Sequence, residues 1–138
     1  MNPYRAYQQN RAAGQTRIDI ILSLYDQVIG RVQKAIAATD RHDPAAVKHQ
    51  LAACSLGVGG LANALSTNGG EMAVNFLRLY DFVVRCLEEG TASRLKAALD
   101  TLQTLRDGFA TIRPQAVEME RAGEIPPLDL VSSFQTKA

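Results

Sequence analysis

Residues 16–36 read TRIDIILSLYDQVIGRVQKAI, and the spacing of their apolar residues decides the fold class. These residues recur three and four positions apart, which places them on one face of a helix of about five to six turns. They are Ile18, Ile21, Leu22, Tyr25, Val28, Ile29, Val32 and Ile36. Thr16 followed by Asp19 has the form of a capping box, in which a hydroxyl begins the helix. The stretch therefore predicts an amphipathic helix that begins at Thr16 and ends near residues 39–42.

A second helix is predicted to begin at Asp43 and Pro44, because proline at the first helical position lacks only an N–H that would be unpaired there. Its apolar seam alternates steps of four and three residues. The seam consists of Val47, Leu51, Cys54, Val58, Leu61 and Leu65. Gly57, Gly59 and Gly60 lie within this helix, where each weakens it relative to alanine. We interpret them as sites where a neighbouring helix packs closely, with a local kink or a ligand contact as the alternative.

The third helix follows an Asn-Gly-Gly sequence at 68–70, which is predicted to end the second helix. It is expected to run from about Glu71 to Glu89, and it is apolar almost all the way round. Its apolar residues are Met72, Val74, Phe76, Leu77, Leu79, Tyr80, Phe82, Val83, Val84 and Leu87. One bundle neighbour on each side cannot easily hide that much surface.

The fourth helix is opened by Gly90 and Thr91 and is predicted to end or kink at Pro114. Its stripe consists of Leu95, Leu99, Leu102, Leu105, Phe109 and Ile112. Four amphipathic helices joined by short loops predict an all-α, antiparallel up-down four-helix bundle. We expect an N-terminal cap segment at 1–15, the bundle at 16–122 and a flexible C-terminal tail at 123–138. The alternative for the tail is that its apolar residues dock on an exposed groove.

Composition narrows the function. The 138 residues carry a formal net charge of +1, and the aromatic fraction is 6% with no tryptophan. We therefore expect no nucleic-acid partner, since neither a basic field nor a stacking platform is present. No apolar run approaches the ~18 residues of a membrane span, and no signal peptide precedes the bundle, so we expect a cytoplasmic protein without membrane insertion. Cys54 and Cys86 lie in the helical stripes, which favours reduced core thiols.

The sequence contains few patterns that are typical of a catalytic or metal site. No set of four ligands suits a structural zinc ion, and the Gly57–Gly60 glycines follow no strand as a phosphate loop would. His49 is the one candidate, because it should be exposed on the second helix of a bundle, as in histidine phosphotransfer domains. Ala52 and Ala53 replace the lysine and glycine of that motif. We expect no catalysis and no cofactor, and a phosphotransfer-like signalling bundle remains an alternative.

Repeated and terminal motifs carry a family resemblance. The segment LSLYDQVI at 22–29 recurs as LRLYDFVV at 77–84, for which coincidence between two core helices is the alternative. The chain also contains NPYxxYQ at 2–8 and LxxNGGE at 65–71. With these motifs, residues 2–113 resemble the FliS family of flagellin export chaperones.

The resemblance implies a cytoplasmic, non-enzymatic chaperone that binds the disordered C-terminal segment of flagellin. In that family, binding prevents premature polymerisation and aids delivery to the flagellar export gate, and the flagellin segment wraps the bundle. The chaperone's N-terminal segment can cover part of the binding groove. We expect a monomer or a weak homodimer, and a homo-oligomeric structural bundle is a further alternative.

A surplus of apolar side chains agrees with a binding role, because large exposed apolar patches usually mark interaction sites. Ile20 and Leu24 lie off the main stripe of the first helix, and Leu56 lies opposite the seam of the second. The residues predicted to contact the partner are Tyr4, Tyr7, Ile20, Leu24, Tyr25, Asp26, Leu56, Leu79 and Tyr80. Among them, Tyr25 and Tyr80 are expected to anchor helices, with their hydroxyls towards polar rims.

Overall fold

The computed structural model describes residues 15–65 and 70–125. Within these ranges the chain forms no strand and four helices: α1 (Arg17–Asp40), α2 (Pro44–Asn63), α3 (Gly70–Glu89) and α4 (Ala92–Arg121). Each helix packs against the next in the chain, and α4 packs back against α1. The predicted antiparallel up-down four-helix bundle is therefore confirmed. Most of the predicted cap segment and the tail from residue 126 onward lie outside the described residues.

Side-chain caps begin three of the helices where the sequence predicted them. The hydroxyl of Thr16 accepts a hydrogen bond from the backbone N–H of Asp19 and donates one to its carboxylate. Asp43 accepts from the N–H of Ala46, with Pro44 at the first helical position of α2. Thr91 begins α4 in the same way, and Gly90 ends α3 with a positive φ of 65°. These caps satisfy backbone groups that have no partner inside the helix.

The predicted end of α2 is wrong, and α4 does not end at Pro114; tertiary contacts account for both differences. Helix α2 ends at Asn63, before the glycines at 69 and 70, and the guanidinium of Arg17 donates to the carbonyl of Ala64 just beyond it at 2.7 Å. Helix α4 continues past Pro114 to Arg121. Proline removes one hydrogen bond and crowds the preceding turn, but packing of the last turns outweighs that loss.

The last turns of α4 hold the start of α1. Val117 forms a small apolar cluster with Ile18 and Leu22. The carboxylate of Glu120 accepts a hydrogen bond of 2.8 Å from the backbone N–H of Arg17, which places a negative charge at the N-terminus of α1. These contacts join the two ends of the described chain at one end of the bundle.

The main core lies along the bundle axis and draws on all four helices. Its buried members are Tyr25, Val28, Ile29, Val32, Ala35, Cys54, Val58, Leu61, Tyr80, Val83, Cys86, Leu87, Leu95, Ala98 and Leu102. Both cysteines are free and buried, as predicted, and burial raises the pKa of the Cys54 thiol to about 11. The Cys54 thiol is therefore neutral at neutral pH.

The glycines of α2 differ from one another. A β-carbon on Gly57 would lie 2.5 Å from a methyl group of Val28 on α1, whereas one on Gly59 or Gly60 would meet nothing within 4 Å. Close helix packing therefore explains Gly57 but neither of the other two.

We expect Gly57→Ala to destabilise the protein by about 1–3 kcal/mol, because Val28 is buried and β-branched and cannot easily move away. Gly59→Ala is the matched control in the same helix. It should stabilise the protein by up to about 1 kcal/mol, since it adds helix propensity without a clash. Urea denaturation of the two variants measures both effects. Equal changes in the free energy of unfolding would contradict the packing explanation.

Candidate functional site

Helix α3 leaves apolar side chains exposed on both of its flanks. The exposed large apolar residues of the described chain are Leu56, Met72, Val74, Leu77, Leu79, Phe82 and Ile112, and we call this set the apolar surface. Five of the seven lie on α3. Leu56 is 81% exposed and Met72 68%, values that are unusual for leucine and methionine in a folded domain. The predicted excess of apolar surface on this helix is therefore confirmed.

One flank of α3 faces α2. Leu77, Val84 and Glu88 are spaced seven and four residues apart, so they share one side of the helix. Glu88 lines a groove between α2 and α3, which places Leu77 and Val84 on the same side as that groove. Leu56 is the exposed leucine of α2, the helix that forms the other wall.

The groove itself lies at the end of the bundle where α1 passes into α2, and its volume is about 840 Å³. Pro44, Val47, Leu51, Ala52 and Leu87 supply its apolar lining, and Thr39, His42, Asp43, Lys48, Ser55, Glu88, Glu89 and Gly90 supply the remainder. Three carboxylates face one lysine and one histidine in this lining. An apolar groove with an acidic edge suits an amphipathic peptide better than a small anionic ligand.

The other flank of α3 faces α4. Phe82 and Glu89 are seven residues apart, and Glu89 forms an ion pair of 2.6 Å with Arg94 of α4. Beneath this flank, Phe76 of α3 stacks on Phe109 of α4 with ring centroids 5.4 Å apart. Met72, Leu79 and Ile112 surround this stacked pair at the surface. Exposed apolar residues therefore lie on both flanks of α3, and charged residues such as Arg78, Asp81 and Arg85 occupy the exposed side between them.

Two predicted partner contacts are exposed as expected. Leu56 points away from the seam of α2, and Leu79 is 39% exposed at the edge of the core. Tyr4 and Tyr7 lie outside the described residues. Contact of any of these four residues with a partner stays a prediction.

The predicted exposure of Ile20 is wrong. Its side chain is 6% exposed and forms a small cluster with Ala64, the residue after α2. Leu24 is half-buried and packs against both this cluster and the main core. The helical angles of α1 alone placed both side chains on the outside. Those angles take no account of the end of α2, which packs over this part of α1.

The predicted position of the two tyrosine hydroxyls is also wrong. Tyr25 and Tyr80 are buried, and their hydroxyl oxygens lie 2.6 Å apart inside the core. Burial and this hydrogen bond raise the pKa of Tyr25 far above its usual value, and burial raises the pKa of Tyr80. One hydroxyl donates to the other, so a single hydrogen bond pairs the two polar groups inside the core. Neither tyrosine presents a surface to a partner in this conformation.

Asp26 and Asp81, which follow the two tyrosines, are exposed and take part in different ion pairs. Asp26 accepts from the guanidinium of Arg106 on α4 at 2.9 Å. Asp81 pairs with Arg85 one turn further along α3 at 3.0 Å. A structural contact between α1 and α4 therefore accounts for Asp26, and its role as a partner contact stays a prediction.

Sequence reasoning missed Met72, Val74, Leu77 and Ile112 as individual surface residues, although it recognised the wide stripe of α3. The periodicity of the stripe contained the signal, since no bundle helix can bury its whole circumference. The groove between α2 and α3 left no comparable signal, because its shape depends on how far the two helices diverge.

The described residues offer little that could support catalysis or metal binding. His49 is exposed on α2, as predicted. Within residues 15–65 and 70–125, no three His, Cys, Asp or Glu side chains come together as metal ligands would. No helix in the same ranges combines the length and the apolar character needed to cross a membrane.

Fold and surface together define a class: an all-α four-helix bundle with a buried tyrosine pair and exposed apolar residues on both flanks of its third helix. The sequence profile of the family described as FliS, flagellar protein FliS, matches residues 1–116. The chain therefore belongs to the FliS family, a family of flagellar export chaperones. This confirms the resemblance drawn from the repeated motif. A comparison with curated protein sequences found no match.

The tyrosine pair gives a test of buried polar satisfaction. Tyr25→Phe or Tyr80→Phe should each destabilise the protein by about 1–3 kcal/mol, because one hydroxyl is left buried without its partner. The double variant should lose less than the sum of the single variants, since it removes both polar groups together. Urea denaturation of the four proteins measures the coupling. Strictly additive losses would show that the two hydroxyls do not depend on each other.

Alkaline pH should act on the same pair. Both tyrosines have a raised pKa in the folded protein and a value of about 10 when unfolded. Their contribution to stability is complete below pH ~10 and is lost as pH rises above it, because only the unfolded chain then releases the protons. The free energy of unfolding should therefore fall more steeply between pH ~9 and ~11 than in the Tyr25→Phe/Tyr80→Phe variant. Identical slopes would contradict this account.

Proposed function

We propose that the groove between α2 and α3, together with Leu56 and Leu77, binds the C-terminal segment of flagellin and keeps it from polymerising before export. The exposure of Leu56 and Leu77 on the two helices that form this groove carries the proposal. A monomer that leaves such a surface open gains stability and solubility when a partner covers it. Membership of a flagellar export chaperone family gives the partner's identity its support.

The groove between α2 and α3 is the main seat in this proposal. An amphipathic helix of the partner lays its apolar face on Leu51 and Leu87 within the groove and on Leu56 and Leu77 beside it. Basic residues of the partner meet Asp43 and Glu88 at the edge.

A few leucine contacts are expected to supply most of the free energy of binding. Full burial of one leucine side chain contributes roughly 1.5–3 kcal/mol, and a tenfold change in affinity corresponds to about 1.4 kcal/mol. Leu56 and Leu77 therefore contribute about one to two orders of magnitude in affinity each if the partner covers them. Tyr25 and Tyr80 support this surface from behind by fixing α3 against α1.

Other parts of the proposed role follow from the family. We place the chaperone in the cytoplasm as a monomer or a weak homodimer, and it presents its flagellin to the export gate. Tyr4 and Tyr7 belong to an N-terminal segment that enters the bundle at Thr16, close to Ile20 and Ala64. Contact of this segment with the partner is part of the proposal. Catalysis by His49 has no supporting neighbour, since Ala52 and Ala53 flank it on α2.

The decisive measurement is calorimetric titration with the C-terminal peptide of the cognate flagellin. We expect binding that weakens about 10- to 100-fold in Leu56→Asp and Leu77→Asp, because a charge replaces a buried leucine in the complex. Gln33→Asp, an exposed change on α1, is the matched control and should bind like the unmodified chain.

Circular dichroism of each variant accompanies the titration, because both leucines are exposed and their replacement should preserve helicity. Absence of binding by the unmodified chain at tens of micromolar peptide would overturn the proposed function. Binding that is unchanged in both leucine variants would place the peptide elsewhere on the bundle. A dimer that buries the same surface and persists in excess peptide would favour the homo-oligomeric alternative.

A further inference from the structure

A patch on the α3–α4 flank lies apart from the groove and close to the end of α4. Met72 is one turn before Phe76, and Ile112 is about one turn after Phe109. Because α3 and α4 are antiparallel and these phenylalanines stack, Met72 and Ile112 lie at the same level. Both are exposed, by 68% and 48% respectively. With Leu79 and Phe82 they form what we call the α4-side patch.

The chain beyond α4 leaves the bundle at the same end as this patch. Helix α4 ends at Arg121, nine residues after Ile112, which is about 14 Å along the helix axis. Gly123 follows with a positive φ of 77°, a left-handed conformation that turns the chain away from the helix direction. The sequence continues with Pro126 and Pro127, a residue type that is unfavourable inside a helix.

Residues 126–138 contain apolar side chains at suitable spacing for this patch. Leu128, Val131 and Phe134 are three residues apart, as on one face of a helix, and Leu130 lies between them. The sequence profile of the family stops at residue 116, so this segment belongs to the present chain and not to the part shared by the family. We infer that residues 128–134 of this chain dock on the α4-side patch and cover Met72, Leu79 and Ile112.

The length of residues 126–138 favours this segment over a second copy of the chain as the group that covers the patch. Thirteen residues in extended form span up to about 43 Å, about three times the distance from the end of α4 back to Ile112. A tethered segment also acts at an effective concentration of about millimolar, which a free partner of equal affinity rarely attains. A small apolar patch that would hold a separate molecule weakly therefore holds an attached segment.

Charge is compatible with the same arrangement. Arg78 lies one turn before Phe82 on the outer side of α3 and lines a shallow pocket with Glu71 and Asn75. It forms no ion pair with any other side chain in the described ranges. Asp129 is the acidic residue of the segment 126–138. Asp129 in the segment and Arg78 near the patch are therefore of opposite charge, which favours docking.

The docked segment leaves the α2–α3 groove open. It covers one flank of α3 and leaves Leu56, Leu77 and the acidic edge of the groove accessible. The inference therefore goes beyond the proposed function, and it holds whether or not the groove binds flagellin.

A spin label at position 135 tests the inference in the full chain. Gln135→Cys provides a reactive thiol, whereas Cys54 and Cys86 are buried and the raised pKa of Cys54 keeps it protonated. We expect loss of the methyl NMR signals of Met72 and Ile112 in the labelled protein, with recovery after reduction of the label. The methyl signals of Ile36, at the opposite end of α1, should stay unchanged.

The matched control keeps the label and replaces Leu128, Val131 and Phe134 by serine, which should restore both methyl signals. Equal signals with and without these serines would overturn the inference. A mixture of labelled, isotope-free protein with unlabelled, isotope-enriched protein separates the remaining case. Signal loss in that mixture would show that the segment docks on the patch of a second copy, and this result would also overturn the inference. No flagellin is present, so the result is independent of the titration above.

Discussion

A helix in a four-helix bundle has only two close neighbours, and α3 carries more apolar surface than two neighbours can cover. The helix packs against α2 and α4 more sparsely than α1 does against its own neighbours. Burial of Tyr80, Val83, Cys86 and Leu87 fixes one face of α3 in the core. Its remaining apolar residues stay at the surface on both sides. This excess has no use in the bundle itself, since exposed apolar area weakens solubility without adding to the core. This constraint supports the proposed binding role.

Because α3 packs sparsely, other contacts must hold the bundle together, and α1 makes them with α4. Asp19 pairs with Arg113, and Asp26 pairs with Arg106, so two ion pairs seven residues apart connect α1 to α4 in one antiparallel register. The hydrogen bonds from Arg113 lower the pKa of Asp19 below its usual value. Partly exposed pairs contribute modestly to stability, about 0–1 kcal/mol each. Their effect here is geometric, because they set the level at which Phe109 meets Tyr25 and Phe76.

Local sequence signals predicted the elements of the fold well. Thr16, Asp43 and Thr91 marked helix starts because a cap depends on neighbouring residues alone. The end of α2 depended instead on Arg17, and the end of α4 depended on contacts with Arg17, Ile18 and Leu22 of α1, which lie far away in the sequence. The exposure of surface residues likewise depended either on one helix alone or on a contact with a distant residue. Leu56 was predictable because its own helix has one clear seam, whereas the burial of Ile20 requires Ala64 to lie over it.

The repeated Leu-x-Leu-Tyr-Asp motif separates into a structural part and a surface part. Its two tyrosines occupy equivalent positions in α1 and α3, helices that lie diagonally across the bundle, and the hydroxyl pair joins them through the core. The middle leucines differ because α1 is covered by Ala64 at that level, so Leu24 is half-buried, while nothing in the described chain covers Leu79 to the same extent. The angular argument favoured Leu24 as the contact residue. The packing leaves Leu79 as the more accessible of the two middle leucines in the described chain, and contact of either leucine with a partner stays a prediction.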